Sequence, residues 1–107
     1  MPIPKTTHSQ FAVLSILRDE ELWGRDVRAA LKADGYSSTN ASFYEMMDRM
    51  ESSGFVEGRI EERDVLGQKF KERRYKITGE GIAAMNEVEA FYASQSSRPR
   101  LGLLGGS

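Results

Sequence analysis

Lys69, Lys71, Arg73 and Arg74 crowd into the run KFKERRYK, and a second cluster joins Ser38, Thr39, Asn40, Ser42 and Tyr44 at the start of an apolar periodic segment. Clustered cations neutralise phosphates and release the counterions condensed on a duplex. Short hydroxyls, an amide and a phenol donate to phosphate oxygens, and some of them reach base edges. A helix start adds free N–H groups and the positive end of the helix dipole. Arg25 and Arg28 offer further, weaker backbone contacts from the segment before. The chemistry such a set would serve is recognition of double-stranded DNA. Each feature also has a plainer use: Thr39 as an N-cap, Tyr44 as an edge aromatic over the core, and the basic run as a solvated strand mixed with Glu61 and Glu72.

The rest of the composition narrows the field. The chain has 107 residues, 39% hydrophobic and 29% charged, which suits one small globular domain. With no cysteine and one histidine, His8, thiolate chemistry and zinc–thiolate sites are excluded. No phosphate-cradling glycine loop or nucleophile elbow occurs, and carboxylate pairs such as Glu61-Glu62 sit beside arginines, so no catalytic residue, cofactor or metal is expected. The start MPIPKTTHSQ lacks a signal-peptide layout and no apolar run would span a membrane, which points to the cytoplasm. Net charge is −1, yet from Arg59 to Lys76 seven basic residues face four acidic ones. Any footprint for an acidic polymer is expected on that segment.

These side chains need elements to hold them. Phe11, Val13, Leu14, Ile16 and Leu17 predict a first helix, starting after Thr7 or Ser9 and running to about Arg18. After a short connection through DEEL, Trp23, Val27, Ala30 and Leu31 predict a second helix to Ala33, with Gly35 where a left-handed terminator is wanted. Thr39 then caps a third helix whose buried face is Phe43, Met46, Met47 and Met50, ended by Gly54. The period changes to two: Val56, Gly58 and Ile60 share one side of a strand, and Lys71, Arg73, Tyr75 and Ile77 one side of the next. RDVLGQ reads as the turn between them. A last helix is expected from Thr78 to about Ser94, and the remainder, rich in Ser and Gly, as a tail. The fold class is mostly α with a small β-hairpin. It is a winged helix-turn-helix of three helices, a two-stranded wing and a C-terminal helix, with the third helix as reader.

The stretches FAVLSIL, WGRDV, SFYEMMDRMESSGFVEG and RRYKITGEGIAAM together resemble the PadR family of transcriptional regulators. Its His-Gly-Tyr-type motif at the second helix is matched by Trp23-Gly24-Arg25, and its Thr-Leu-Tyr core by Ser42-Phe43-Tyr44. Its wing closes into a Leu-Thr-x-x-Gly helix start, matched by Arg73, Arg74, Tyr75, Ile77, Thr78 and Gly81. Departures are Trp23 and Arg25 around the glycine, Glu45 after the helix-three tyrosine, and Asn40-Ala41 in place of a Pro-Gly. The resemblance covers residues 9 to 92 and fits the short subfamily, with one helix after the wing. It implies a sequence-specific DNA-binding regulator acting as a homodimeric repressor.

The expected division is an arm (1–8), the winged helix-turn-helix domain (9–77), a dimerisation helix (78–94) and the tail (95–107). Phe11, Ala84, Val88, Phe91 and Tyr92 are expected at the dimer seam, with Ile82 and Met85 facing the subunit's own core. Some relatives take planar ligands between subunits against aromatic side chains, so Trp23, Phe91 and Tyr92 are the residues that would hold a small aromatic effector; core or dimer packing is their plainer role. Two other classes compete with the DNA-binding repressor: a winged helix used as a protein-interaction module, which the weak net charge favours, and a ligand-sensing regulator.

Overall fold

The computed structural model describes residues 7–97, and most of the expected arm and of the expected tail lie outside them; Thr7 and His8, expected in the arm, cap and open the first helix. In chain order it contains α1 (His8–Ile16), β1 (Leu22–Trp23), α2 (Gly24–Ala33), α3 (Asn40–Ser52), β2 (Val56–Val65), β3 (Gln68–Ile77) and α4 (Gly79–Ser97). The winged helix-turn-helix is therefore present, with three corrections at its edges. Leu22–Trp23 forms a third strand, antiparallel to β3, where a connection and a helix start were expected. The hairpin loop is Leu66-Gly67 alone, because Val65 already pairs with Gln68. The last helix continues through residues 95–97, beyond its expected end near Ser94 and into the expected tail.

Local chemistry explains the boundaries. Thr7 caps α1 in a reciprocal capping box with Gln10. Thr39 caps α3 by accepting from the Ser42 N–H at 3.1 Å. At the other end of α3, Gly54 takes φ +82°, and the N–H groups of Gly54 and Phe55 bond back to the carbonyls of Glu51 and Met50. This left-handed closure turns the chain sharply into β2, and a side chain there would be strained.

The core lies between the helices and the base of the wing. Val13, Leu14, Leu17, Val27, Leu31, Phe43, Met47, Met50, Val56, Tyr75 and Met85 form one buried cluster. Tyr75 is its largest member, at 0% exposure, on the central strand of the sheet between Leu22 and Gly58. A Cβ on Gly58 would lie 2.7 Å from the Tyr75 ring, so glycine there is what lets the ring enter. The Tyr75 hydroxyl is buried without a hydrogen-bond partner among the described residues, and burial pushes its pKa up to about 12.

Thr78 stitches α4 to the α3–β2 turn. Its hydroxyl donates to the Gly54 carbonyl at 2.5 Å and accepts from the Gly81 N–H at 2.9 Å, while its own N–H donates to Phe55 at 3.1 Å. Gly81 then passes so close that a Cβ would lie 2.1 Å from the Phe55 carbonyl oxygen. This approach sets the rotation of α4 and corrects its expected faces. Met85 and Val88 are both buried in the subunit itself, and Ala84 packs on the core, whereas Ile82 is 42% exposed. Val88 therefore belongs to the core and Ile82 to the open face.

Two outcomes follow. Gly81→Ala forces backbone away from backbone and should lower stability by about 1–3 kcal/mol, read as a lower Tm and urea midpoint at unchanged m-value. Tyr75 stays protonated in the fold with a pKa raised above its unfolded value near 10. Its contribution is therefore complete below pH 10 and lost as pH rises through about 12. Alkaline urea titrations should show wild type losing up to about 2 kcal/mol over that range, a loss that Tyr75→Phe lacks, while Tyr75→Phe is at least as stable at neutral pH.

Candidate nucleic-acid interface

A cleft of about 830 Å³ opens where α2, the start of α3 and the base of the wing meet. Arg25, Arg28 and Lys32 line it from α2, Ser38, Asn40 and Tyr44 from α3 and its approach, and Lys71 and Arg73 from β3, with Glu72 as the one carboxylate in its wall. Six of the ten residues expected to meet DNA are thus brought to one concave surface: Arg25, Ser38, Asn40, Tyr44, Lys71 and Arg73. Thr39 and Ser42 are exposed at the same helix start, with the Thr39 hydroxyl occupied as the cap. Lys69 lies further out on the wing, paired with Glu62 at 3.7 Å.

Arg74 is set apart from the cleft. The ladder register alternates the strands' side chains between two faces, so Arg74 shares its face with Trp23, Arg59 and Glu61, opposite Lys71 and Arg73. Its Nε lies 3.4 Å from Glu21, an ion pair without hydrogen-bond geometry. Arg59 joins the same group, bonded to Glu61 and, at 2.9 Å, to Glu21. The hydrogen bond from Arg59 holds the Glu21 carboxyl below the usual carboxylate range. Trp23 sits between the Arg63 and Arg74 guanidiniums, with its ring centroid 5.4 and 5.3 Å from them. Phe91 stacks edge-on against Tyr92 on α4, away from that face, and Tyr92 meets His8 at 3.0 Å. The expected aromatic trio is therefore divided between two regions of the subunit.

Ion pairing changes the electrostatic picture of the wing. Every basic residue from Arg59 to Lys76 except Lys71 has a carboxylate within 4 Å among the described residues. Several of those acids come from elsewhere in the chain. Asp26 and Glu72 hold Arg63, Glu72 also holds Arg25 at 3.0 Å, and Glu51 holds Arg73 at 3.1 Å. The expected surplus of the hairpin is thereby largely neutralised. The cations without a carboxylate partner among the described residues of the cleft are Arg28, Lys32 and Lys71. Sequence reasoning gave Arg28 little weight and passed over Lys32; their spacing of four on one helical face was the available signal.

Two contacts pre-set the cleft. Arg28 donates to the Ser38 carbonyl at 2.7 Å and to Asn40 Oδ1 at 3.3 Å. A guanidinium has no acceptor, so the Asn40 amide oxygen must face it, and Nδ2 is the group turned outward. The adenine-edge pairing expected of Asn40 uses both amide atoms and would have to share that oxygen with Arg28. Tyr44 is half-buried, edge-on to Phe43 at 4.9 Å, and a Cβ on Gly24 would lie 2.7 Å from its hydroxyl. That clearance explains the glycine of the Trp-Gly-Arg motif. Burial, then the Glu72 carboxylate, raises the Tyr44 pKa, against Arg25 and Arg28, so the phenol is a proton donor at neutral pH.

The transcriptional regulator PadR-like family model matches residues 13–87 of this chain. The chain belongs to that family. Similar solved structures include a PadR family transcription regulator from hypervirulent Clostridium difficile R20291, 16% identical, with a TM-score of 0.71 over 84% of this chain and 92% of that one. A PadR family regulator from Eggerthella lenta DSM 2243 is 26% identical, with a TM-score of 0.63 over 81% and 73% of the two chains. Bacillus subtilis PadR in complex with operator DNA is 23% identical, with a TM-score of 0.61 over 73% of this chain and 44% of its own length. Comparison with curated proteins finds no relative. Among the described residues of this PadR-like chain, no helix is long and apolar enough to cross a membrane.

The Arg73–Glu51 contact fixes this cleft to the PadR-like core, since the second Glu51 oxygen accepts the Gly58 N–H at 3.2 Å. Glu51→Ala should cost about 1–3 kcal/mol in urea unfolding. Glu51→Gln should cost less, because its amide oxygen keeps the Gly58 bond.

Proposed function

We propose that the chain is a sequence-specific DNA-binding regulator that acts as a homodimeric repressor. The cleft carries this reading: five cations against one carboxylate, at the junction of the α3 start and the wing. Bases would be met by Ser38, Asn40 and Ser42, with Thr39 holding the helix start in shape. Phosphates would be met by Arg25, Arg28, Lys32, Lys71 and Arg73, by the Tyr44 hydroxyl, and by Lys69 further along the wing. Arg74, on the opposite face of the sheet, would contribute to flanking backbone at most through the wing's edge. The DNA complex of the Bacillus subtilis relative supports the reading by fold.

One half-site gives few contacts, and a two-fold dimer doubles them on a roughly palindromic operator. The seam would join α1 and α4, where Phe11 and Phe91 are half-buried, Ala84 lies at the margin, and Ile82 and Tyr92 are 42% and 48% exposed.

The test is titration with duplex DNA at several salt concentrations. Binding should weaken with salt at a slope near −0.9 per phosphate neutralised, and Arg28→Ala with Lys71→Ala should flatten it by about 2. Arg74→Ala should change it less. Absence of binding at low salt would sink the DNA reading and leave a protein-interaction module. Sedimentation equilibrium of the free chain checks the dimer.

A further inference from the structure

The tip of the wing joins two unfavourable features in one residue. Leu66 and Gly67 form a two-residue hairpin loop with φ +52° and +82°, and Leu66 is 100% exposed. A loop with positive φ at both positions prefers Asn-Gly or Asp-Gly. A leucine held there strains the backbone, and its fully exposed side chain packs on none of the described residues. Neither turn chemistry nor core packing accounts for leucine at this position. A large apolar group kept in a strained conformation and pointed into water is explained by a contact outside the subunit.

We propose that Leu66 is an apolar wedge that enters the minor groove beside the site met by α3, partly unstacking a base step. The proposal rests on the DNA-binding reading above. Geometry supports it. Lys71, in the cleft, lies three residues along β3 from Gln68, about 10 Å of extended strand, and the turn carries Leu66 a few ångström further. With the leucine side chain added, the tip comes within reach of the next groove, roughly 17 Å or half a duplex turn away. With the cleft on the edge of the major groove, the tip arrives over the neighbouring minor groove. There Gln68 can donate to the acceptors on the groove floor, and Lys69 lies beside the phosphate rail. A protein partner would call for a broad apolar patch. The other exposed apolar groups of the wing, Ile60 at 63% and Phe70 at 43%, lie on opposite faces of the ribbon, so they make no common surface with Leu66.

The experiment uses duplexes recovered from a random-sequence pool by the wild-type chain, with 2-aminopurine placed in the flanking steps. Leu66→Asn suits the loop, so its Tm should equal or exceed that of wild type, while its duplex affinity falls about ten-fold at an unchanged salt slope. Wild type should brighten the 2-aminopurine on binding; Leu66→Asn should not, and Leu66→Met should behave as wild type. Unchanged affinity for Leu66→Asn overturns the wedge and favours a protein partner at the tip. A lower Tm for that variant overturns the strain argument. If the wild-type chain recovers no duplex, the DNA reading itself fails, whatever Leu66 does.

Discussion

Burial of the Tyr75 ring where the wing enters the helical core is the contact on which the rest of the molecule depends. Tyr75 sits on β3, the central strand, with β1 on one side and β2 on the other. Its entry requires the absent side chain of Gly58, and Gly58 is in turn held by Glu51 from α3. One ring, one glycine and one carboxylate therefore fix the angle between wing and third helix. Burying an aromatic of this size contributes about 2 kcal/mol or more, against a cost of similar size for a hydroxyl with no partner among the described residues. Because the cleft lies across this junction, its shape is set by the core and does not wait for a ligand to assemble it.

The same junction explains the acid excess of α3. Asp48 and Glu51 lie in the C-terminal half of the helix, away from the polar start, and Glu51 serves the fold by holding Arg73 and the Gly58 backbone. Acidic residues of the β1–α2 region, Glu21 and Asp26, neutralise the outer face of the wing in the same way. The sheet is thereby asymmetric: one face is a balanced network around Trp23, and the other keeps Lys71, without a carboxylate partner among the described residues, beside Arg28 and Lys32.

Most elements were legible in the sequence because their signals are local. Apolar spacing marked α1 to α4, and Thr7, Thr39, Gly54 and Thr78 marked their ends. What was not legible depends on contacts distant in the chain. Leu22–Trp23 is a strand only because Tyr75 and Arg74 lie opposite, fifty-odd residues on. The turn was hidden by Leu66, a residue type that argues against the conformation it adopts. The phase of α4 follows from Gly81 lying on the Phe55 carbonyl, and apolar residues around that helix left two rotations open. The candidate site was legible as a set of residue types. Its charge was not, since Asp26 and Glu51 pair with residues some twenty to forty positions away.

Net charge is a poor guide to what such a surface can bind. At physiological ionic strength the screening length is about 8 Å, so acids on the outer face of the wing or on α4 scarcely reach the cleft, and its field is that of its own walls. Paired arginines are also not lost to a ligand. An exposed carboxylate pair is worth at most about 1 kcal/mol, and a phosphate offers a guanidinium the same bidentate geometry. Arg25 and Arg73, held in place by Glu72 and Glu51, are already ordered on the side where a backbone would lie. On the proposed reading, the three cations without a carboxylate partner among the described residues would draw the duplex in, and the paired ones would exchange partners only where a phosphate arrives at the right distance. A chain of net charge −1 would then have little attraction for DNA at large and would keep its affinity for a site whose shape fits the cleft.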